Sequence, residues 1–233
     1  MLLLQAENLL AGTSAANDKQ TAVVLLGGNP PQAEWLAAYL KSAAYLAAAD
    51  AGAAAALAAG RVPHLLVGDF DSLTEPLLTE CRSAGAEIIT LPAAKDLTDG
   101  EFLLDLLVGR GFRRLLVLGA LGGRTDHLLA NIACAEKLAR QGICVMLAHD
   151  AEILVPFCAA DEPRTLQLGG FAGRTLSLIS LAEESRLVQL KGFAYPLQSA
   201  LRRQQSLGIS NIVQTNNAQI TLTDGSLLVC LNL

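Results

Sequence analysis

What most constrains this chain is a change of pattern close to residue 149. Between residues 21 and 148 short apolar runs alternate with helical stretches, whereas beyond His149 the helical period gives way to alternation at every second residue. The apolar runs fall at 21–26, 43–49, 64–67, 86–91, 115–118 and 143–148. They are continuous, which is how strands read when both faces of a sheet are covered. Helices are expected from Gln32 and over 53–59, 76–84, 98–108 and 126–140, with Phe102, Leu103, Leu106 and Leu107 on one face of the fourth. Such alternation predicts an α/β class: a Rossmann-like domain with a mainly parallel sheet and helices on both faces. Later, 174–180, 186–190, 219–223 and 226–231 read as half-buried strands, and Asp224-Gly225 between the last two is a hairpin signal. The expected organisation is therefore an α/β domain over 1–155 and a smaller all-β sandwich domain over 156–233, divided near 156–163. Residues 1–20 show no period and are expected as a loose lead-in.

Composition narrows the function classes. A hydrophobic fraction of 52% with 17% charged residues suits a globular chain. Net charge −5 and scattered basic residues give no footprint for nucleic acid. Met1-Leu2-Leu3-Leu4 lacks a basic flank and meets Gln5 and Glu7 at once, so it does not read as a signal peptide. The alanine-rich run at 42–60 is broken by Asp50 and makes a poor membrane span. A soluble, cytoplasmic protein without a membrane partner is expected. Five widely spaced cysteines, Cys81, Cys134, Cys144, Cys158 and Cys230, suit reduced thiols better than disulfides or a zinc site.

In parallel sheets ligands sit at the carboxyl ends of the strands, where Asp50, Asp69, Asp71, Asp96 and the 122–126 loop are expected. In Gly68-Asp69-Phe70-Asp71-Ser72 a continuing strand would project Asp69 and Asp71 from one face, roughly 6 to 7 Å apart, within reach of one divalent cation. An equally good reading is a solvated turn with Ser72 capping the next helix. Gly27-Gly28-Asn29 follows the first strand and could receive a phosphate, although a bare Gly-Gly is more often an ordinary turn. In Lys95-Asp96-Leu97-Thr98-Asp99-Gly100-Glu101, Thr98 and Glu101 form a capping box, while Asp96 with Asp99 beside a helix start could complete a metal and phosphate site. Two acidic pairs at neighbouring strand ends favour Mg²⁺, without which they would repel. In Gly122-Gly123-Arg124-Thr125-Asp126-His127 the glycines can turn amides toward an anion and Arg124 offers a planar fork for phosphate. Thr125 or Asp126 could cap the following helix, and His127 reads as a polar first-turn residue.

In this order and spacing, the three clusters resemble the thiamine pyrophosphokinase family, and Tyr195-Pro196-Leu197 with Ser206-Leu207-Gly208-Ile209-Ser210-Asn211 resembles its substrate-side motif. The resemblance covers roughly residues 20 to 233. It implies Mg²⁺-dependent transfer of the pyrophosphoryl group of ATP to thiamine, giving thiamine diphosphate and AMP. By that likeness Asp69, Asp71 and Asp99 hold Mg²⁺ and are the catalytic acids. ATP is expected against Gly27, Gly28, Asn29, Asp50, Lys95, Thr98, Gly122, Gly123, Arg124 and Asp126, and thiamine against Asp96, Ser210 and Asn211. The likeness also implies a homodimer with thiamine between the α/β domain of one chain and the β domain of the other. The chain departs from the family pattern at Ala51, Ala53 and Ala54, and at Ile212, where bacterial relatives commonly carry an acid. No aromatic residue near Asn211 offers an obvious stacking platform for thiamine. Two other readings compete: a haloacid-dehalogenase-like phosphatase, disfavoured because Asp69 sits on an internal strand and Leu73 replaces Thr or Val, and a non-catalytic nucleotide-binding module.

Overall fold

The computed structural model describes residues 2–5, 20–41, 43–94, 96–150 and 152–233. It divides into two compact units. An α/β unit takes Ala11–Cys134 and Ile143–Asp150, and a β-rich unit takes Met1–Leu10, Ala135–Gly142 and Ala151–Leu233. Elements are numbered along the chain from β1 (Leu2–Gln5), which belongs to the β-rich unit.

In the α/β unit, β2 (Thr21–Leu25), β3 (Leu46–Ala49), β4 (Leu65–Gly68), β5 (Glu87–Thr90), β6 (Arg114–Leu118) and β7 (Cys144–Ala148) lie in the order β7-β6-β2-β3-β4-β5. Every neighbouring pair is parallel. All residues of β2, β3 and β4 are buried, as their unbroken apolar sequence requires. At the edge, β5 exposes Glu87 and Thr90, polar groups that suit an unpaired margin. The connections are helical: α1 (Ala33–Lys41), α2 (Gly52–Ala58), α3 (Glu75–Ser83), α4 (Asp99–Gly109) and α5 (Thr125–Arg140). The alanine-rich stretch packs as β3 and α2, with Ala53 and Ala56 buried. A Cβ on Gly52 would lie 2.2 Å from the Leu25 carbonyl oxygen, so only glycine lets α2 start this close to the end of β2. No helix among the described residues is long and apolar enough to cross a membrane.

Progression from β2 runs outward through β3, β4 and β5, and the chain then returns to lay β6 on the other side of β2. Strand order thus reverses between β2 and β6, and loops leaving their carboxyl ends diverge to leave a crevice.

The β-rich unit holds β8 (Glu152–Ala159), β9 (Arg164–Gly169), β10 (Thr175–Ser180), β11 (Glu184–Lys191), β12 (Gln198–Arg202), β13 (Asn211–Ile212), β14 (Ala218–Leu222) and β15 (Gly225–Asn232). One sheet runs β1-β9-β14-β11-β12 and the other aligns β13, β10, β15 and β8. All these pairings are antiparallel except β1 with β9. Alternate residues are buried, as in Leu166 and Leu168, Leu176 and Leu178, or Ile220 and Leu222.

Three local expectations change. Leu2–Gln5, read as lead-in, forms β1 with Leu2 opposite Leu166; a four-residue strand has too few positions to show a period and depends on its distant partner. Asp224-Gly225 does not make a hairpin, because β14 and β15 belong to different sheets. The left-handed Gly225 (φ +109°) instead lets the chain cross between sheets, where its missing Cβ would stand 2.8 Å from the Ser185 Cα. Buried hydroxyls seal that crossing: Ser180 Oγ meets Ser185 Oγ at 2.8 Å, and Ser185 Oγ donates to the Ser226 carbonyl at 2.8 Å. Pro156, beside which a boundary is expected, lies within β8 opposite Leu228. All five cysteines are free thiols.

Candidate functional site

The site is built on the crevice where strand order reverses. After β2 and β6, the chain continues the ladder briefly, with the Leu26 amide donating to the Leu118 carbonyl (2.9 Å) and the Gly28 amide to the Gly119 carbonyl (3.1 Å). A Cβ on Gly28 would stand 2.3 Å from the Gly119 oxygen, and one on Gly119 (φ +70°) 2.4 Å from the Leu26 oxygen. These two glycines are required by close approach of backbone to backbone. Gly122 (φ +75°) meets the Asn29 side chain, while Gly123 (φ +69°) faces open space. Asn131 steadies the second loop from α5, its Nδ2 donating to the Ala120 carbonyl at 3.2 Å.

Carboxylates line the other side. Asp50 follows β3 in a left-handed conformation (φ +43°), and its Oδ1 lies where a Gly68 Cβ would be, 1.7 Å from that position. The same oxygen accepts from the Phe70 amide at 3.4 Å. Phe70 is itself left-handed (φ +63°), a conformation bulky residues rarely adopt outside strained functional loops. Burial, then the nearby Asp99 and Asp69 carboxylates, push Asp50 up to about 6. Asp99 opens α4, whose N-cap is Thr98, with Oγ1 accepting from the Glu101 amide at 3.1 Å.

The cavity enclosed has a volume of about 820 Å³. Gly27, Gly28, Asn29, Asp50, Asp69, Asp71, Thr98, Asp99, Gly122, Gly123 and Arg124 all line it, together with Ala51 and Leu97. Asp96 is exposed in the same loop and is not among the lining residues. Asp126 is also off the lining: it binds Arg124 through two contacts, Nε to Oδ1 at 3.1 Å and Nη2 to Oδ2 at 2.5 Å. This pairing holds the Asp126 carboxyl below its ordinary range. Lys95 lies outside the described residues.

Two expectations at the acidic motif are corrected. β4 ends at Gly68, so Asp69 and Asp71 do not alternate along a strand; the Asp71 amide donates to Asp69 Oδ1 at 3.2 Å in a turn. Ser72 does not cap α3, whose N-cap position is Thr74.

Among the described residues no group of three or more His, Cys, Asp and Glu is arranged to hold a metal ion by itself. The donor set still suits Mg²⁺, a hard cation usually held by one or two carboxylates with the remaining positions filled by water and substrate phosphate. Crowding of Asp50 by two further carboxylates is the electrostatic condition a divalent cation relieves.

Residues 36–147 match the family model described as thiamin pyrophosphokinase, catalytic domain, and residues 163–227 that described as thiamin pyrophosphokinase, vitamin B1 binding domain. The chain belongs to the thiamin pyrophosphokinase family. It is similar to the thiamine pyrophosphokinase of Bacillus subtilis, at 28% identity over 187 residues, covering 77% of this chain and 83% of that protein. It is similar also to thiamin pyrophosphokinase 1 of Caenorhabditis elegans, at 24% identity over 174 residues, covering 72% and 68%. The crystal structure of the B. subtilis thiamine pyrophosphokinase superposes with a TM-score of 0.79 at 26% identity, covering 91% of this chain and 98% of that one. Thiamin pyrophosphokinase from Candida albicans shares the fold, with a TM-score of 0.78 at 14% identity over 100% and 93% of the two chains.

In this member of the thiamin pyrophosphokinase family the other expected site residues, Ser210 and Asn211, stand in the β-rich unit. Ser210 is exposed and left-handed (φ +57°), its amide donating to Ser177 Oγ at 3.0 Å. Asn211 is 4% exposed. Its Oδ1 accepts from the amides of Tyr195 (3.0 Å) and Ile212 (2.8 Å), and its Nδ2 donates to the Tyr195 carbonyl (2.7 Å). An aromatic residue therefore does adjoin Asn211, sixteen residues away in sequence, where periodicity gives no sign of it. Gly119 and Asn131 were also absent from the expected set. A glycine ending a strand, and an amide one helical turn beyond His127, were the available signals.

Proposed function

We propose that this protein is a thiamine diphosphokinase: it transfers the pyrophosphoryl group of ATP to the hydroxyethyl oxygen of thiamine, yielding thiamine diphosphate and AMP. The observation that carries this reading is the joint match of a catalytic and a vitamin B1 binding family model, the first spanning most of a cavity with amides and an arginine on one side and carboxylates on the other. In this proposal residues 1–155 handle nucleotide and 156–233 the acceptor. The reversal of strand order at β2 and β6 supports the Rossmann-like reading, and two sheets with alternating buried residues support the sandwich.

Phosphoryl chemistry needs positioning and charge neutralisation more than a covalent protein group. The amides near Gly27, Gly28, Gly122 and Gly123, with Asn29, Thr98 and Lys95, orient the triphosphate, and Arg124 meets its oxygens. Asp126 holds the guanidinium through two contacts beside the cavity that Arg124 lines. Asp69, Asp71 and Asp99 hold Mg²⁺, with Asp50 behind them; when bound, the ion neutralises charge on the phosphate oxygens. The thiamine hydroxyl oxygen bonds to the β-phosphorus, the bond from that phosphorus to the α,β-bridging oxygen breaks, and AMP departs. The hydroxyl proton passes to Asp71 or Asp99. Asp96, Ser210 and Asn211 are assigned to the acceptor side. A homodimer in the cytoplasm completes the proposal, the compartment supported by five free thiols.

The test is to incubate the protein with ATP, Mg²⁺ and thiamine and to identify the nucleotide product. AMP in equal amount with thiamine diphosphate is expected. Formation of ADP, or of phosphate without thiamine dependence, refutes the reaction, and absence of turnover leaves a nucleotide-binding module. Asp71→Asn is expected to lower turnover about a hundredfold or more with unchanged melting, since Asp71 is exposed.

A further inference from the structure

The loop from β2 to α1, Leu26-Gly27-Gly28-Asn29-Pro30-Pro31-Gln32, is tied down near both ends. Near its start the Gly28 amide donates to the Gly119 carbonyl at 3.1 Å, just past β6. At its far end the Gln32 amide donates to Asp150 Oδ1 at 2.8 Å, 118 residues away and two residues past the end of β7. Since the strands lie in the order β7-β6-β2, the loop crosses the ends of both neighbours, a lateral span of about 10 Å.

The far tie supplies what α1 cannot make locally. The Leu36 amide donates to the Gln32 carbonyl at 2.9 Å, which makes Gln32 the N-cap. In a capping box the amide at that position is satisfied by an acidic or amide side chain three residues on, but here that residue is Trp35. Asp150 brings the missing acceptor from another strand, on a side chain that is 14% exposed. The same oxygen lies 3.7 Å from His149 Nδ1, and the Asp150 charge reaches the buried Tyr39 of α1.

Between the two ties stand only Asn29, Pro30 and Pro31. Each proline has a fixed φ and restricts the residue before it to extended conformations, so this is a stiff span, and placing its ends places Asn29. Asn29 lines the cavity, with its Nδ2 2.9 Å from where a Cβ on Gly122 would stand. A shift of Gln32 is therefore passed along the span to the point where the two glycine loops meet.

We infer that Asp150, which is not among the residues lining the cavity, is a positioning residue for the nucleotide: by holding Gln32 it sets where Asn29 and the neighbouring glycine amides meet the triphosphate. This rests on ATP being the nucleotide of the proposed reaction.

Calorimetric titration of Mg·ATP in the absence of thiamine, steady-state kinetics and urea unfolding together test the inference. Asp150→Ala is expected to weaken ATP binding and raise the KM for ATP about three- to tenfold, while kcat and the KM for thiamine move less than about twofold. Asp150→Asn keeps an acceptor oxygen but not the charge, and recovers most of the ATP affinity. Pro30→Gly, at an exposed position, makes the span flexible, and in that background Asp150→Ala brings little further loss of ATP affinity. Where Asp150→Ala does not fold, Asp150→Glu takes its place: it keeps the charge, moves the acceptor by one methylene, and shows part of the ATP defect. An Asp150→Ala or Asp150→Glu protein that loses stability yet binds ATP like the wild type overturns the positioning role. Asp150→Asn as defective as Asp150→Ala makes charge, not the hydrogen bond, the agent and overturns it too, and full additivity with Pro30→Gly overturns transmission through the span. A wild type that does not bind ATP overturns the functional reading itself, whereas a wild type that binds ATP beside an indifferent Asp150→Ala overturns this inference alone.

Discussion

Three glycines around the crevice separate two physical demands that are usually confounded. Gly123 is left-handed with open space where a Cβ would go; Gly28 has no left-handed φ but would drive a Cβ to 2.3 Å from the Gly119 oxygen; Gly119 combines φ +70° with a contact of 2.4 Å to the Leu26 oxygen. Alanine at Gly123 therefore carries only the left-handed cost, about 1 to 2 kcal/mol. At Gly28 it carries only overpacking against backbone that is itself hydrogen-bonded, about 1 to 3 kcal/mol. At Gly119 both apply, giving about 2 to 5 kcal/mol. Urea unfolding followed by circular dichroism, with equal m-values across the series, measures the three differences. Since Gly28 and Gly119 set the spacing of the two loops, their variants are also expected to raise the KM for ATP more than Gly123→Ala does. If Gly119→Ala costs no more than Gly123→Ala, and Gly28→Ala is neutral, close approach of the loops does not constrain this site.

Other consequences are as direct. Arg124→Lys removes the planar fork and is expected to raise the KM for ATP several-fold with unchanged stability, because the Arg124–Asp126 pair is exposed; a fall in melting temperature would show that the pair is structural. Chelation of divalent ions should abolish turnover without shifting the melting temperature of the nucleotide-free protein, since no three metal-binding side chains among the described residues form a cage of their own. A large shift would reveal a resident structural ion. Tyr39 is buried, its hydroxyl has no hydrogen-bond partner among the described residues, and burial with the Asp150 charge pushes it up to about 12. The folded state then keeps a proton that the unfolded state loses near 10, so stability falls as pH rises from about 10 to about 12. Tyr39→Phe should remove that slope and match or exceed wild-type stability by about 1 kcal/mol at neutral pH; a marked loss at pH 7 would refute it.

The parallel strands were legible because burial on both faces leaves continuous apolar runs, and the acids and glycines at their ends follow from the same logic. What could not be read was where separate segments meet. Asp224-Gly225 has the residue types of a hairpin turn, and Gly225 does adopt a positive φ, but turn chemistry does not specify which sheet receives the next strand. Asp69 and Asp71 were read as alternating along a strand, yet between them stands a left-handed Phe70 whose amide donates to Asp50, a residue in the loop after another strand. The bonds of Asn211 to Tyr195 belong to the same class: the two residues sit in separate stretches of sequence, and only the folded backbone joins them.

The pairing of β1 with β9 has a consequence for how the chain is made. Leu2 must meet Leu166, so β1 waits for its partner while the intervening α/β unit is synthesised. At about 5 to 20 residues per second the delay is on the order of ten to thirty seconds. During that interval the apolar Leu2-Leu3-Leu4 has no β9 edge to join. Emergence of β9, and not closure of the parallel sheet, therefore sets when this apolar segment stops being available to the open edges of neighbouring molecules.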